Sequence, residues 1–123
     1  MSSDSSPEAW PTEIKLAPDK AELSVTFENG ESYRLAAEML RVMSPSAEVQ
    51  GHTPEERKTV AGKRNVRIRD VRPVGNYAVQ IVFDDGHDTG FYRWGYLRDL
   101  GARKDALWQG YLTELKAKGL TRG

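Results

Sequence analysis

The string Val25-Thr26-Phe27-Glu28-Asn29-Gly30 returns 56 positions later as Ile81-Val82-Phe83-Asp84-Asp85-Gly86. Each copy alternates β-branched and aromatic residues with others, the pattern of a half-buried strand. Each then runs into an acidic or amide residue followed by glycine, a pair that tolerates positive φ and turns a hairpin. Further on, Leu40-Arg41 is matched by Leu97-Arg98 at an offset of 57. Both copies read strand, acidic turn with glycine, strand, short helix. Two copies are too few for a solenoid. The repeat instead predicts an α+β domain of two β-hairpin–short helix units forming small antiparallel sheets, followed by a C-terminal amphipathic helix.

Ser32 to Leu35 and Thr89 to Tyr92 are the expected returning strands, and Ile14 to Leu16 is a short alternating segment. Ala36 to Met43 and Trp94 to Leu100 read as the short helices. The first is stopped by Ser44-Pro45, because the residue before proline avoids the helical region; Gly101 ends the second. Val66 to Val71 alternates strictly, with Pro73 and Gly75-Asn76 expected to break it. Residues 44–64 show no period and hold two prolines and two glycines, which predicts a long loop with one helical turn from Pro54. From Lys104 to Lys118, Leu107, Trp108, Tyr111, Leu112 and Leu115 fall on one helical face. The domain is expected over 11–118, with flexible tails at 1–10 and 119–123.

A chain of 123 residues fits one domain with a real core. There is no cysteine, so disulfides, thiolate nucleophiles and thiolate-bound clusters are excluded. The start, MSSDSSPEAWP, lacks the basic and apolar regions of a signal peptide, and no apolar run approaches the ~20 residues that span a bilayer. The expectation is a soluble cytoplasmic protein without a membrane partner. Formal net charge is zero, yet residues 1–60 carry 11 acidic and six basic side chains and residues 61–123 carry seven and 12. The basic excess begins at Lys63, Arg64, Arg67, Arg69 and Arg72, where an anionic ligand could bind. With zero net charge and no readout motif, nucleic acid is not the expected partner.

FDDGHDTGFYRW, residues 83–94, concentrates the chemistry: His87 stands among Asp84, Asp85 and Asp88. In the first copy of the repeat Glu31 stands where His87 does, so acid and glycine have a structural task in the turn. Zinc or non-haem iron could be held by His87, His52 and a carboxylate such as Asp85 or Glu48 if the 44–64 loop folds back. Acid–base work by His87 is chemically open, but Ser44 and Ser46 lie in an SPS string, outside a nucleophile-elbow pattern.

Three strings, LRVMSPSAEVQGH (40–52), GKRNV (62–66) and PVGNYA (73–78) running into FDDGHDTG (83–90), resemble the gamma-butyrobetaine hydroxylase-like N-terminal domain. The resemblance covers about residues 11–115. It implies a small module that also occurs fused to carnitine-pathway oxygenases and to P-loop ATPases linked to iron–sulfur cluster assembly. In the oxygenases the module holds a structural zinc through three cysteines and a histidine. The resemblance places those cysteines at Ser44, Ser46 and about Val49, and the histidine at His87. This chain keeps the histidine and lacks all three thiolates, so no cofactor is expected by that mode.

The resulting expectation is a non-enzymatic accessory or protein-interaction domain, linked by the fused forms to iron–sulfur maturation or an oxygenase partner. Its partner-facing residues are expected in the 44–64 loop, at Ser44, Ser46, Glu48, Gln50, His52, Lys63 and Arg64. Asn65 follows them, and Asp84, His87 and Asp88 of the second turn complete the surface. A metal-binding domain through His87 is the first alternative, and a small enzyme or anionic-ligand binder the second.

Overall fold

The computed structural model describes residues 10–123, so all of the expected N-terminal tail but Trp10 lies outside the described residues. Strands β1 (Pro11–Leu16), β2 (Glu22–Phe27) and β3 (Ser32–Ala36) form one antiparallel sheet in the order β1-β2-β3 and lead into helix α1 (Ala37–Val42). A four-residue helix α2 (Ala47–Gln50) and a single 3₁₀ turn (Pro54–Glu56) follow. Strands β4 (Ile68–Val74), β5 (Ala78–Phe83) and β6 (Phe91–Arg93) make a second antiparallel sheet, β4-β5-β6, leading into α3 (Trp94–Ala102) and then α4 (Lys104–Ala117). The architecture is therefore α+β, and the repeated unit is three strands and a helix. Each unit gains a first strand, β1 or β4, beyond the expected hairpin.

The two turns are the same turn. Phe27 N–H donates to Glu31 O at 2.8 Å, and Phe83 N–H to His87 O at 2.9 Å. Asn29 Oδ1 accepts from Glu31 N–H, and Asp85 Oδ1 from His87 N–H, both at 3.0 Å. Gly30 and Gly86 have φ of +90° and +92°, a region where a side chain is strained.

The units also clasp one another crosswise. Arg98 of α3 makes a bidentate pair with Glu31 in the first turn, at 2.6 and 2.9 Å. Its counterpart Arg41 of α1 donates to Asp85 in the second turn at 2.8 Å. Position 44 corresponds to 101 by the same offset of 57, and both lie against the other unit's third-strand region. A Cβ on Gly101 would come within 2.3 Å of the Tyr33 ring, and one on Gly90 within 2.5 Å of Ser44 Oγ. A side chain faces a glycine in each case, with the glycine on α3 in one contact and just ahead of β6 in the other.

Leu23, Val25 and Phe27 of β2 and Val79, Ile81 and Phe83 of β5 share one core with Leu40, Tyr92, Leu97 and Leu100. Burial of such side chains contributes roughly 1.5–3 kcal/mol each. Tyr111 and Leu115 dock α4 on Val42, with Leu112 and Trp108 at the margin. Three local readings need correction. Pro73 lies inside β4, opposite Val79, which an edge strand tolerates because no ladder donor is needed on its outer side. Gly101 sits within α3 and serves the close approach of Tyr33. Residues 119–123, expected as a flexible tail, lie beside the loop: Gly62 N–H donates to Thr121 O at 2.9 Å and Arg64 N–H to Arg122 O at 2.8 Å. Among the described residues no helix is long and apolar enough to cross a membrane.

Candidate functional site

The crosswise contact between residues 41–50 and the second turn gathers most of the polar chemistry. Ser46 caps α2, its Oγ accepting from Glu48 N–H at 3.2 Å. Such a cap satisfies a donor that a helix end leaves open. Ser44 Oγ accepts from Ser46 N–H at 3.2 Å, and Gln50 Nε2 donates to Ser44 O at 2.8 Å. The segment expected to be an aperiodic loop is thus wound on itself, presenting Ser44, Ser46 and Glu48 to the turn.

His87 meets that face with both ring nitrogens. Nε2 lies 2.9 Å from Ser44 Oγ and Nδ1 lies 3.2 Å from Glu48 Oε1. A neutral ring with its proton on Nδ1 donates to Glu48 and accepts from the Ser44 hydroxyl. Burial and the nearby Arg41 charge push the His87 pKa below its ordinary value, while Glu48 opposes the shift. Alongside, Ser46 Oγ and Thr89 Oγ1 are 2.7 Å apart. Asp85 receives Arg41 Nε at 2.8 Å and Lys63 Nζ at 2.7 Å. Burial works against the charged form of Asp85, but Lys63, the His87 N–H and Arg41 outweigh it and hold the pKa at about 2.

Ser44, His87 and Glu48 stand in the order nucleophile, base and orienting acid, the arrangement that activates a serine. Access to the serine and the histidine is what the set lacks. Ser44 is 0% exposed and His87 6% exposed, and the Gly90 backbone is packed on the hydroxyl. The surface clefts, of about 300 to 500 Å³, are lined by other residues. The arrangement can fix a neutral imidazole and tie two segments together.

The other expected residues are divided. Lys63 joins the cluster, whereas Arg64 and Asn65 are exposed beside it. Asp84 is used locally, its Oδ1 accepting Arg67 N–H at 3.0 Å, and the exposed Asp88 gives its carbonyl to Gln80 Nε2 at 2.8 Å. His52 is exposed, its N–H donating to Glu56 Oε1 at 2.8 Å. The metal set of His87, His52, Asp85 and Glu48 is therefore not assembled, and among the described residues no three His, Asp or Glu side chains come together to hold an ion. The positions the family resemblance assigns to zinc ligands do not fit the metal either: Ser44 and Ser46 bond protein groups, Val49 is a buried apolar side chain, and both His87 nitrogens are engaged.

Three members escaped the reading of the sequence. Arg41 was legible in the echo with Arg98, but its crosswise partner was not. Thr89 and Gly90 lay in the resemblance strings without a stated role. Among the described residues Arg41 Nη1 is buried with no hydrogen-bond partner.

Paired three-strand-and-helix units joined by crosswise polar contacts define a small α+β module. The chain belongs to the gamma-butyrobetaine hydroxylase-like N-terminal family, whose model matches residues 14–98. It is similar to a protein solved by NMR in solution, at 45% identity over 94% of this chain and 91% of that one, with a TM-score of 0.81. A second NMR solution structure is 44% identical over 99% of this chain and 91% of that one, TM-score 0.82. A crystal structure from Acidithiobacillus ferrooxidans ATCC 23270, described as a DUF971-family protein of unknown function, is 40% identical over 75% of this chain and 92% of that one, TM-score 0.63. No curated protein matches.

Proposed function

We propose that this domain is a non-catalytic interaction module that binds a cytoplasmic protein partner through the joined face of α2 and the Asp84–Thr89 turn. One observation carries the reading. The chemically capable side chains Ser44, Ser46, His87 and Thr89 bond in pairs across the two segments, while Ala47, Glu48 and Asp88 of the same two segments stay exposed. A site built for turnover would leave its nucleophile open; a site built for docking holds its face rigid. The fused forms of the family direct the search for a partner to iron–sulfur maturation proteins and oxygenases, by analogy of domain context.

The test places a photo-crosslinking residue at Ala47, at Asp88, or at Arg72 on β4 as a control. The expected outcome is one common adduct from positions 47 and 88, none from 72, and its loss in a Ser46→Arg background. Equal adducts from all three positions would overturn the assignment of the face. Labelling of the wild-type protein by a fluorophosphonate probe, abolished by Ser44→Ala, would overturn the non-catalytic reading.

A further inference from the structure

The segment after α4 is seated as a ligand would be. Gly119, at φ +68°, ends the helix and reverses the chain. Thr121 and Arg122 then offer their successive carbonyls to Gly62 N–H at 2.9 Å and Arg64 N–H at 2.8 Å of the facing loop. Between those contacts the Arg122 side chain turns inward. Its Nε lies 2.9 Å from Glu38 Oε2 and its Nη2 lies 2.7 Å from Oε1, a forked pair. The guanidinium also stands 5.3 Å over the centroid of the Trp108 ring.

Glu38 explains why this geometry matters. Its side chain is only 7% exposed, on the first turn of α1, and among the described residues the carboxylate hydrogen-bonds no side chain other than Arg122. A carboxylate taken out of water needs a cation with matched donors, and a planar fork over an aromatic face meets the need better than an ammonium. A cleft of about 350 Å³, which Glu38, Trp108 and Arg122 share with Glu22, Arg34, Lys104 and Asp105, adjoins the pair. Glu38, Trp108 and the 62–64 backbone thus form a complete recognition site with one anchor pocket and two backbone donors.

We propose that this site is an acceptor for an arginine-bearing peptide, and that residues 121–123 occupy it in cis. The proposal rests on the Glu38–Arg122 pair and not on the α2 surface, although Arg122 and Gly123 share a cleft with Asp84 and Asp85 of the second turn. A tethered occupant acts at an effective concentration in the millimolar range, so a partner peptide competes only by displacing it, and loss of the Arg122 side chain opens the anchor pocket.

The experiment uses full-length Arg122→Ala and Arg122→Lys proteins. The probes are acetyl-Leu-Thr-Arg-Gly-amide, the same peptide with lysine for arginine, and N-acetylarginine amide. Binding is read from the Trp108 indole and the Gly62 and Arg64 amides by NMR. In Arg122→Ala the arginine peptide is expected to saturate with a Kd on the order of 1 mM, and the lysine peptide to bind at least about tenfold more weakly. Arg122→Lys should respond in the same order with smaller shifts. Wild type should need about tenfold more peptide for the same response. If Arg122→Ala unfolds, recovery of a dispersed spectrum on adding the arginine peptide becomes the supporting outcome. No response to about 10 mM peptide, folded or unfolded, overturns the proposal, as do equal responses to arginine and lysine peptides.

Discussion

Replacing Asp85 by asparagine isolates the charge in the second clasp from the turn that carries it. The turn itself should survive, because Asn29 performs the equivalent bond in the first unit, its Oδ1 accepting Glu31 N–H as Asp85 Oδ1 accepts His87 N–H. What is lost is the carboxylate shared by Arg41 and Lys63, whose side chains are 13% and 24% exposed against 19% for Asp85. Holding the Asp85 pKa at about 2 instead of its ordinary 3.8 corresponds to an upper bound of about 2.5 kcal/mol at about 1.4 kcal/mol per unit. Partial solvent access screens the pair and brings this to about 1–2 kcal/mol. A domain of this size melts about 4 °C lower per kcal/mol lost, so the midpoint should fall by about 4–8 °C. The folded pKa is depressed, so the stabilisation is present above the unfolded pKa and disappears as pH falls through about 2. Urea titrations of wild type and Asp85→Asn between pH 7 and pH 2 are the assay. The difference between the two proteins should be largest at neutral pH and close as the pH approaches 2. A difference below about 0.5 kcal/mol at pH 7, the size of an ordinary surface substitution, or one that persists unchanged at the acid end, would refute the argument that the clasp is electrostatic.

His87 titrates in the opposite charge sense but with the same direction of loss. Its folded pKa is lowered, so wild type should lose stability as pH falls below the ordinary histidine value, by at most about 1.4 kcal/mol per pH unit, while His87→Gln should lack that component; denaturation midpoints at pH 7.5 and 5.5 compare them. Gly101→Ala should destabilise by about 1–3 kcal/mol, because its Cβ meets three Tyr33 atoms at 2.3, 2.6 and 2.7 Å, and Tyr33→Ala in the same chain should lower the added cost; a double-mutant cycle measures this. Ser46→Ala removes both the α2 cap and the bond to Thr89 and should cost about 0.5–2 kcal/mol, with faster amide exchange at Glu48 as the local signature.

Alternation and turn chemistry made β2, β3 and β5 readable, since Phe27 and Phe83 each end a strand ahead of a glycine turn. The face of α4 was readable from the spacing of Tyr111 and Leu115. The α2 helix was not, because four residues are too short to display a period and its stability comes from the Ser46 cap and from tertiary contact. Pro73 misled because the rule against proline in sheets depends on strand position, which sequence does not reveal. Of the expected site residues, Ser44, Ser46, Glu48, Lys63 and His87 are brought together in space. His52 was grouped with them by its place in the same string, but it projects to solvent past the turn at Gly51. The crosswise partners of Arg41 and Arg98 lie 44 and 67 residues away, and a local pattern carries no information on which turn a helix-borne arginine will reach.

The crosswise clasps make the two halves poor candidates for independent life. Arg41 and Ser44 are carried by the first half but bonded by the second, while Arg98 and Gly101 are carried by the second and fitted to Glu31 and Tyr33 of the first. A chain cut in the exposed stretch around residues 52–58 would yield two fragments, each holding one side of both clasps. Neither should fold alone, and mixing them should restore the fold, an outcome that complementation would read out.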